Sequence, residues 1–211
     1  MFWTISSFPD CQWHIFLSHC REDRAPLVHP LDERLRVAGV LSWLDRDDYA
    51  YGRDSRTALR DGILRCRHTV MLITNTTLTQ SRGWAVQELS WAELLQANLV
   101  IPGGTLQNVI LPLFFVDPTH PDLAPSVWNL LLDRGRFYGE NDGDQVEWAA
   151  SQVLEFHRRE EKQTQDLAVL SKRDPAFRAG LKDRVPGLFQ RVTSSNPPLP
   201  SVYLSKQGAV S

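Results

Sequence analysis

Trp84, Glu88 and Trp91 stand at helical spacing in residues 83–98, GWAVQELSWAELLQAN, a stretch rich in Ala, Leu, Glu and Gln that predicts a helix. At 3.6 residues per turn the three project from one face, which sets a carboxylate between two indoles. Glu93 falls well round the helix and is not part of that face. A carboxylate so placed has two readings. It serves a bound ligand electrostatically, or it is an edge residue paired with an arginine while the indoles fill core. Spacing alone leaves both open.

The elements that must position this face follow from hydrophobic patterning. Residues 13–18 (WHIFLS) read as a buried strand, and residues 27–37 as a helix with Gly39 as its C-cap. Residues 40–44 (VLSWL) predict a second strand, followed by the polar loop DRDDYAYGRDS. Ser55 stands at an N-cap position before the helical stretch TALRDGILRC. Residues 68–74 predict a third strand, 108–116 a fourth and 136–138 a short fifth, and residues 145–161 a last helix. Continuous apolar strands alternating with helices predict an α/β fold, a flavodoxin-like parallel sheet flanked by helices. Such sheets bind ligands at the carboxyl ends of their strands, which here means residues 18–21, 45–53, 74–77 and Asp117.

Several tenants of this architecture are excluded. The chain has no G-x-G-x-x-G after the first strand, no G-x-x-x-x-G-K-[ST] and no G-x-S-x-G. A phospho-acceptor domain would end its third strand in Asp, and this one ends in Thr74-Asn75. The acidic run GENDGDQVE lacks calcium-loop spacing and reads as a solvated loop. Neither His19-Cys20 nor any cysteine pair has metal-site spacing, so no metal and no cofactor are expected.

The 211 residues include 42% apolar side chains and seven Trp, a globular composition. A formal charge of −2 argues against binding nucleic acid through a basic surface. The three cysteines, Cys11, Cys20 and Cys66, suit a reduced, cytoplasmic chain. The opening MFWTISSFPD has no basic region and does not read as a signal peptide. The longest apolar run, residues 109–116, is broken by Pro112 and falls short of the ~20 residues that span a membrane, so no membrane partner is expected.

Three segments together resemble the TIR (Toll/interleukin-1 receptor) domain family. HIFLSHCRED is similar to its opening strand and loop. WLDRDDYAYGRDSRTALRDGILRCRHTVMLIT is similar to its second strand, BB loop, helix and third strand. RGWAVQELSWAE is similar to the W-x-x-x-E helix of its NAD-cleaving branch. The order and spacing agree over about three quarters of the chain. Departures are His19 where the family has Tyr, Tyr51-Gly52 where the BB loop has Pro-Gly, and Phe137-Tyr138 in place of Phe-Trp.

The resemblance implies a TIR domain over residues 11–161 with a Pro-containing extension over 162–211. It implies an NAD nucleosidase or ADP-ribosyl cyclase, with NAD as substrate, Glu88 as catalytic carboxylate, and Ser18, His19, Arg21, Asp45, Gly52 and Trp84 as substrate-binding residues. It further implies self-association through TIR–TIR contacts and the BB loop. A free-standing chain of this kind resembles proteins of anti-phage defence (the Thoeris type), in which the product signals to a downstream effector. Two other classes stand beside this one. A non-catalytic TIR adaptor that only assembles would need no Glu88, and a nucleoside deoxyribosyltransferase-like enzyme would act on free nucleosides.

Overall fold

The computed structural model describes residues 13–44, 55–79, 84–98 and 109–173. Five parallel strands form one sheet among them: β1 (Trp13–Ser18), β2 (Ser42–Trp43), β3 (Cys66–Ile73), β4 (Ile110–Phe114) and β5 (Arg136–Phe137), in the order β2-β1-β3-β4-β5. This is the doubly wound order whose switch point lies between β1 and β3. The helices are α1 (His29–Val37), α2 (Ser55–Arg65), α3 (Asn75–Thr79), α4 (Trp84–Asn98) and α5 (Gln145–Arg173).

Strand parity sorts the core into two layers. Phe16, Met71, Ile73, Ile110 and Phe114 face α2 and α4 and pack with Leu59, Ile63, Leu89 and Trp91. Ile15, Leu17, Val70, Leu72, Leu111 and Leu113 face the other way, against Leu31 and Leu35 of α1 and Trp148, Val153 and Phe156 of α5. Both faces are covered, so β3 and β4 are buried along their whole length. The expected parallel sheet is the one observed.

The departures have local causes. Pro26 cannot donate an amide hydrogen, and residues Arg24–Val28 make a wide π-type turn, so α1 starts at His29 with Pro30 in its first turn. Gly39 follows that helix at φ 82°, the left-handed conformation expected of it. β2 is only two residues long. β3 begins at Cys66, two residues earlier than its apolar run, because Arg67 is carried into the interior. The α2 helix opens at Ser55 itself, and its cap lies outside the described residues.

Asp144 caps α5 by accepting from the amides of Val146 and Glu147, both at 3.0 Å. That helix runs on past Glu161 to Arg173, 29 residues in all. The sequence change at residue 162 therefore does not interrupt it. No described helix is long and apolar enough to cross a membrane.

Gly135 marks a close approach. A Cβ there would sit 2.3 Å from the Phe114 ring, which is fully buried and stacked on Phe137 at 4.5 Å. The ring has nowhere to retreat. Gly135→Ala is expected to destabilise the fold by about 1–3 kcal/mol, read as a lower urea midpoint with an unchanged slope.

Candidate active site

Ser18 shares its strand face with Phe16, two residues before it, and so looks toward α4 rather than α1. Its hydroxyl donates to Glu88 Oε2 at 2.5 Å, across 70 residues of sequence. Both groups are buried, Glu88 to 5% exposure. A carboxylate from the second turn of α4 is thereby held at the carboxyl end of β1, next to the central strand β3.

Asp32, another buried acid, shows what a purely structural role looks like in this fold. It accepts from Ser42 Oγ and, at 2.8 Å, from Arg36 Nε, fastening α1 to the start of β2. Glu93, round the helix from Glu88, sits 3.5 Å from Arg134, and burial pushes its carboxyl up against the opposing pull of that guanidinium.

The two indoles flanking Glu88 have different surroundings. Trp91 is 1% exposed and belongs to the core, whereas Trp84, at the first turn of α4, is 50% exposed. Trp91 therefore seats the helix, and Trp84 presents its ring to solvent one turn before Glu88.

The loop after β1 supplies further polar groups. His19 Nδ1 donates to Leu17 O at 2.8 Å, and its Nε2 accepts from Arg24 Nε at 3.3 Å, which defines the tautomer. Arg21 is exposed. Asp23 accepts from Thr74 Oγ1 at 2.8 Å, and Cys20 Sγ lies 3.5 Å from Thr77 Oγ1. These contacts tie the end of β1 to the end of β3.

Burial pushes the Cys20 thiol up, the charges of Asp23, Glu22 and Glu88 add to the effect, and only the Thr77 hydrogen bond opposes it. A thiol held protonated is a poor nucleophile. Burial likewise raises the Asp23 carboxyl, against its hydrogen bond with Thr74 and the nearby His19.

Asp117 takes no part here. It closes a local turn through the amide of Thr119 at 2.7 Å and through that residue's hydroxyl, and these bonds hold its carboxyl below the usual range. Asp45 and Gly52 lie outside the described residues. Among the described residues no group of His, Cys, Asp and Glu is arranged to hold a metal. Asp23, Arg24, Thr74 and Thr77 carried no motif as individual residues, and only the strand-end rule pointed toward the two threonines.

Removing the Ser18 hydroxyl leaves a buried carboxylate short of a charge-assisted hydrogen bond, a loss of about 1.5–3 kcal/mol. Ser18→Ala is therefore expected to lower the thermal midpoint and any Glu88-dependent turnover together, to be read by melting and turnover on one preparation.

The sheet order and a buried carboxylate at the strand ends define a doubly wound α/β domain with its polar edge at the topological switch point. The chain belongs to the TIR domain family, whose model matches residues 15–141.

Similar solved structures include the TIR domain of the Toll-related receptor TRR-2 from Hydra magnipapillata, at 16% identity over 58% of this chain and 97% of that one, with a TM-score of 0.40. The TIR domains of the activated Roq1 resistosome, which recognises the pathogen effector XopQ, match at 15% identity over 73% and 84% of the two chains, with a TM-score of 0.44. A metazoan TIR-STING receptor from C. gigas, in complex with 2',3'-cGAMP, matches at 16% identity over 67% and 39%, with a TM-score of 0.44. None of the curated proteins matches this chain.

Proposed function

We propose that this TIR domain cleaves the nicotinamide–ribose bond of NAD, acting as a nucleosidase or ADP-ribosyl cyclase. The observation that carries the reading is the buried Glu88 carboxylate, held by Ser18 at the strand ends. Nicotinamide is attached as a pyridinium and leaves as a neutral base, so no general acid has to protonate it. One half of the usual two-carboxylate demand of glycoside cleavage disappears. What remains is positive charge on the ribose as the bond breaks, and a fixed anion beside it stabilises that charge.

Around Glu88 the other residues take roles that fit their surroundings. The half-exposed indole of Trp84 stacks on the pyridinium. Ser18 orients the carboxylate, and the His19 segment flanks the ribose. Arg21 reaches toward the diphosphate, and Asp45 and Gly52 complete the substrate-binding set that the resemblance implies. Water attacking the ribosyl cation gives ADP-ribose. A nucleophile of the same molecule gives a cyclic isomer that acts as a cytoplasmic signal to a partner effector, in keeping with a role in anti-phage immunity. An assembly-only role has no use for a carboxylate held in this way.

The test is incubation of concentrated protein with NAD and a crowding agent, with products read by mass spectrometry. Nicotinamide together with ADP-ribose, or a cyclic form of it, is the expected result. Intact NAD at every protein concentration would refute the reading.

A further inference from the structure

Resting on the reading of NAD as substrate, we propose that Asp23 is a second catalytic carboxylate, the base that takes a proton from the water attacking the ribose. In hydrolysis the C1′–N1 bond breaks with its electron pair leaving on nicotinamide, and the water oxygen bonds C1′. One proton of that water must then go elsewhere, and Asp23 takes it before passing it to solvent. Strand order sets the place. β1 and β3 meet at the switch point, and sheets of this kind seat ligands in the crevice beyond the strand ends there. Glu88 is fastened to the last residue of β1 through Ser18, and Asp23 to the first residue after β3 through Thr74, at 2.8 Å. Cys20, whose thiol lies 3.5 Å from Thr77 Oγ1, feels the charge of both carboxylates. The two acids thus border one crevice from different elements.

Asp23 is half-buried, and Thr74 Oγ1 donates to its Oδ2. Among the described residues no hydrogen bond takes Oδ1, which is left to a water. Burial raises the carboxyl, so the ionised form is a stronger base than an ordinary aspartate. The other groups of this edge are committed. Glu88 must stay ionised beside the ribose and already accepts from Ser18. The Cys20 thiol keeps its proton. His19 donates from Nδ1 to Leu17 O, and its Nε2 lone pair accepts from Arg24 Nε at 3.3 Å. Glu22 is exposed, and ordering it would cost side-chain entropy that Thr74 has already removed from Asp23.

The discriminating experiment adds 3-acetylpyridine to NAD and concentrated protein. Its ring nitrogen attacks C1′ through a lone pair and has no proton to lose, so exchange of nicotinamide for it needs Glu88 and no base. Mass spectrometry reads the ratio of ADP-ribose to the acetylpyridine dinucleotide on one preparation, where any loss of folded protein cancels. Asp23→Asn is expected to lower that ratio about tenfold or more. Asp23→Ser, a second uncharged variant, should lower it likewise, and Asp23→Glu should recover part of it. A purely structural Asp23 would instead depress both products together. Nicotinamide release with an unchanged ratio in both uncharged variants overturns this inference and leaves the proposed function standing. A wild-type protein that forms neither product removes the reading and this inference together.

Discussion

Glu88→Gln is expected to reduce nicotinamide release from NAD by about 100- to 1,000-fold, the cost of about 3–4 kcal/mol of transition-state stabilisation. The substitution keeps the shape of the side chain and an oxygen that Ser18 can bond, and it removes the charge. The swap is close to isosteric, and the thermal midpoint should move by no more than about 4 °C. Substrate binding should change far less than turnover, since the carboxylate does its work only as positive charge grows on the ribose. A variant that unfolds would instead place Glu88 among the structural acids such as Asp32.

The second large effect concerns acid. His14 on β1, His68 on β3 and His157 on α5 are buried together, with ring centroids of His14 and His157 5.0 Å apart and those of His68 and His157 6.1 Å apart. Arg67 on β3 and Glu160 on α5 are the buried charged groups alongside, and Arg159 lies 3.4 Å from Glu160. Phe156 packs edge-on against His68 at 4.9 Å. His14 Nδ1 accepts from the amide of Leu41 at 2.9 Å, a bond that only the neutral ring can make. Burial, then the neighbouring His14 and Arg67, lowers His157 to about 4, and burial with Arg67 lowers His14 too.

A histidine whose folded pKa is depressed stabilises the fold fully above its unfolded value near 6.5. It surrenders that stability as pH falls, because the unfolded chain takes the proton first. For His157 the loss between about pH 6.5 and pH 4 is on the order of 3 kcal/mol. Asp23 and Glu93, whose carboxyls are raised, work in the opposite sense at the lower end of that window. Urea midpoints taken from pH 7.5 to pH 4.5 should fall steeply for the native protein and much less for His157→Leu. Parallel curves would show that the cluster does not set acid sensitivity.

How much of this was legible beforehand differs between fold and site. The strands β1, β3 and β4 were plain because a strand covered on both faces is a continuous apolar run. The far end of α5 was not. Its sequence turns polar after residue 161 while helical propensity persists, and the described helix runs on to Arg173. The 3-10 segment Val127–Arg134, which buries Trp128 and Leu131, has no clean period of either kind.

In the site, Glu88 was legible from its spacing with Trp84, and Ser18 from its place at a strand end. Their contact was not, because it depends on which face of β1 the hydroxyl takes, and the packing of Phe16 settles that. Nor could helical projection separate the two tryptophans. They share a face, yet seven residues of rise separate Trp91 in the core from Trp84, half exposed. The pairing of Asp23 with Thr74 joins two loops 51 residues apart and leaves no local signal at all.

In the proposed reaction a single negative charge, held at the end of β1, drives departure of the pyridine. Proton NMR of NAD incubated with concentrated wild-type protein, beside the folded Glu88→Gln variant, tests it most directly. Free nicotinamide resonances should grow with time in the first sample and stay almost absent from the second. Equal rates in both, or none in either at any concentration, would contradict it.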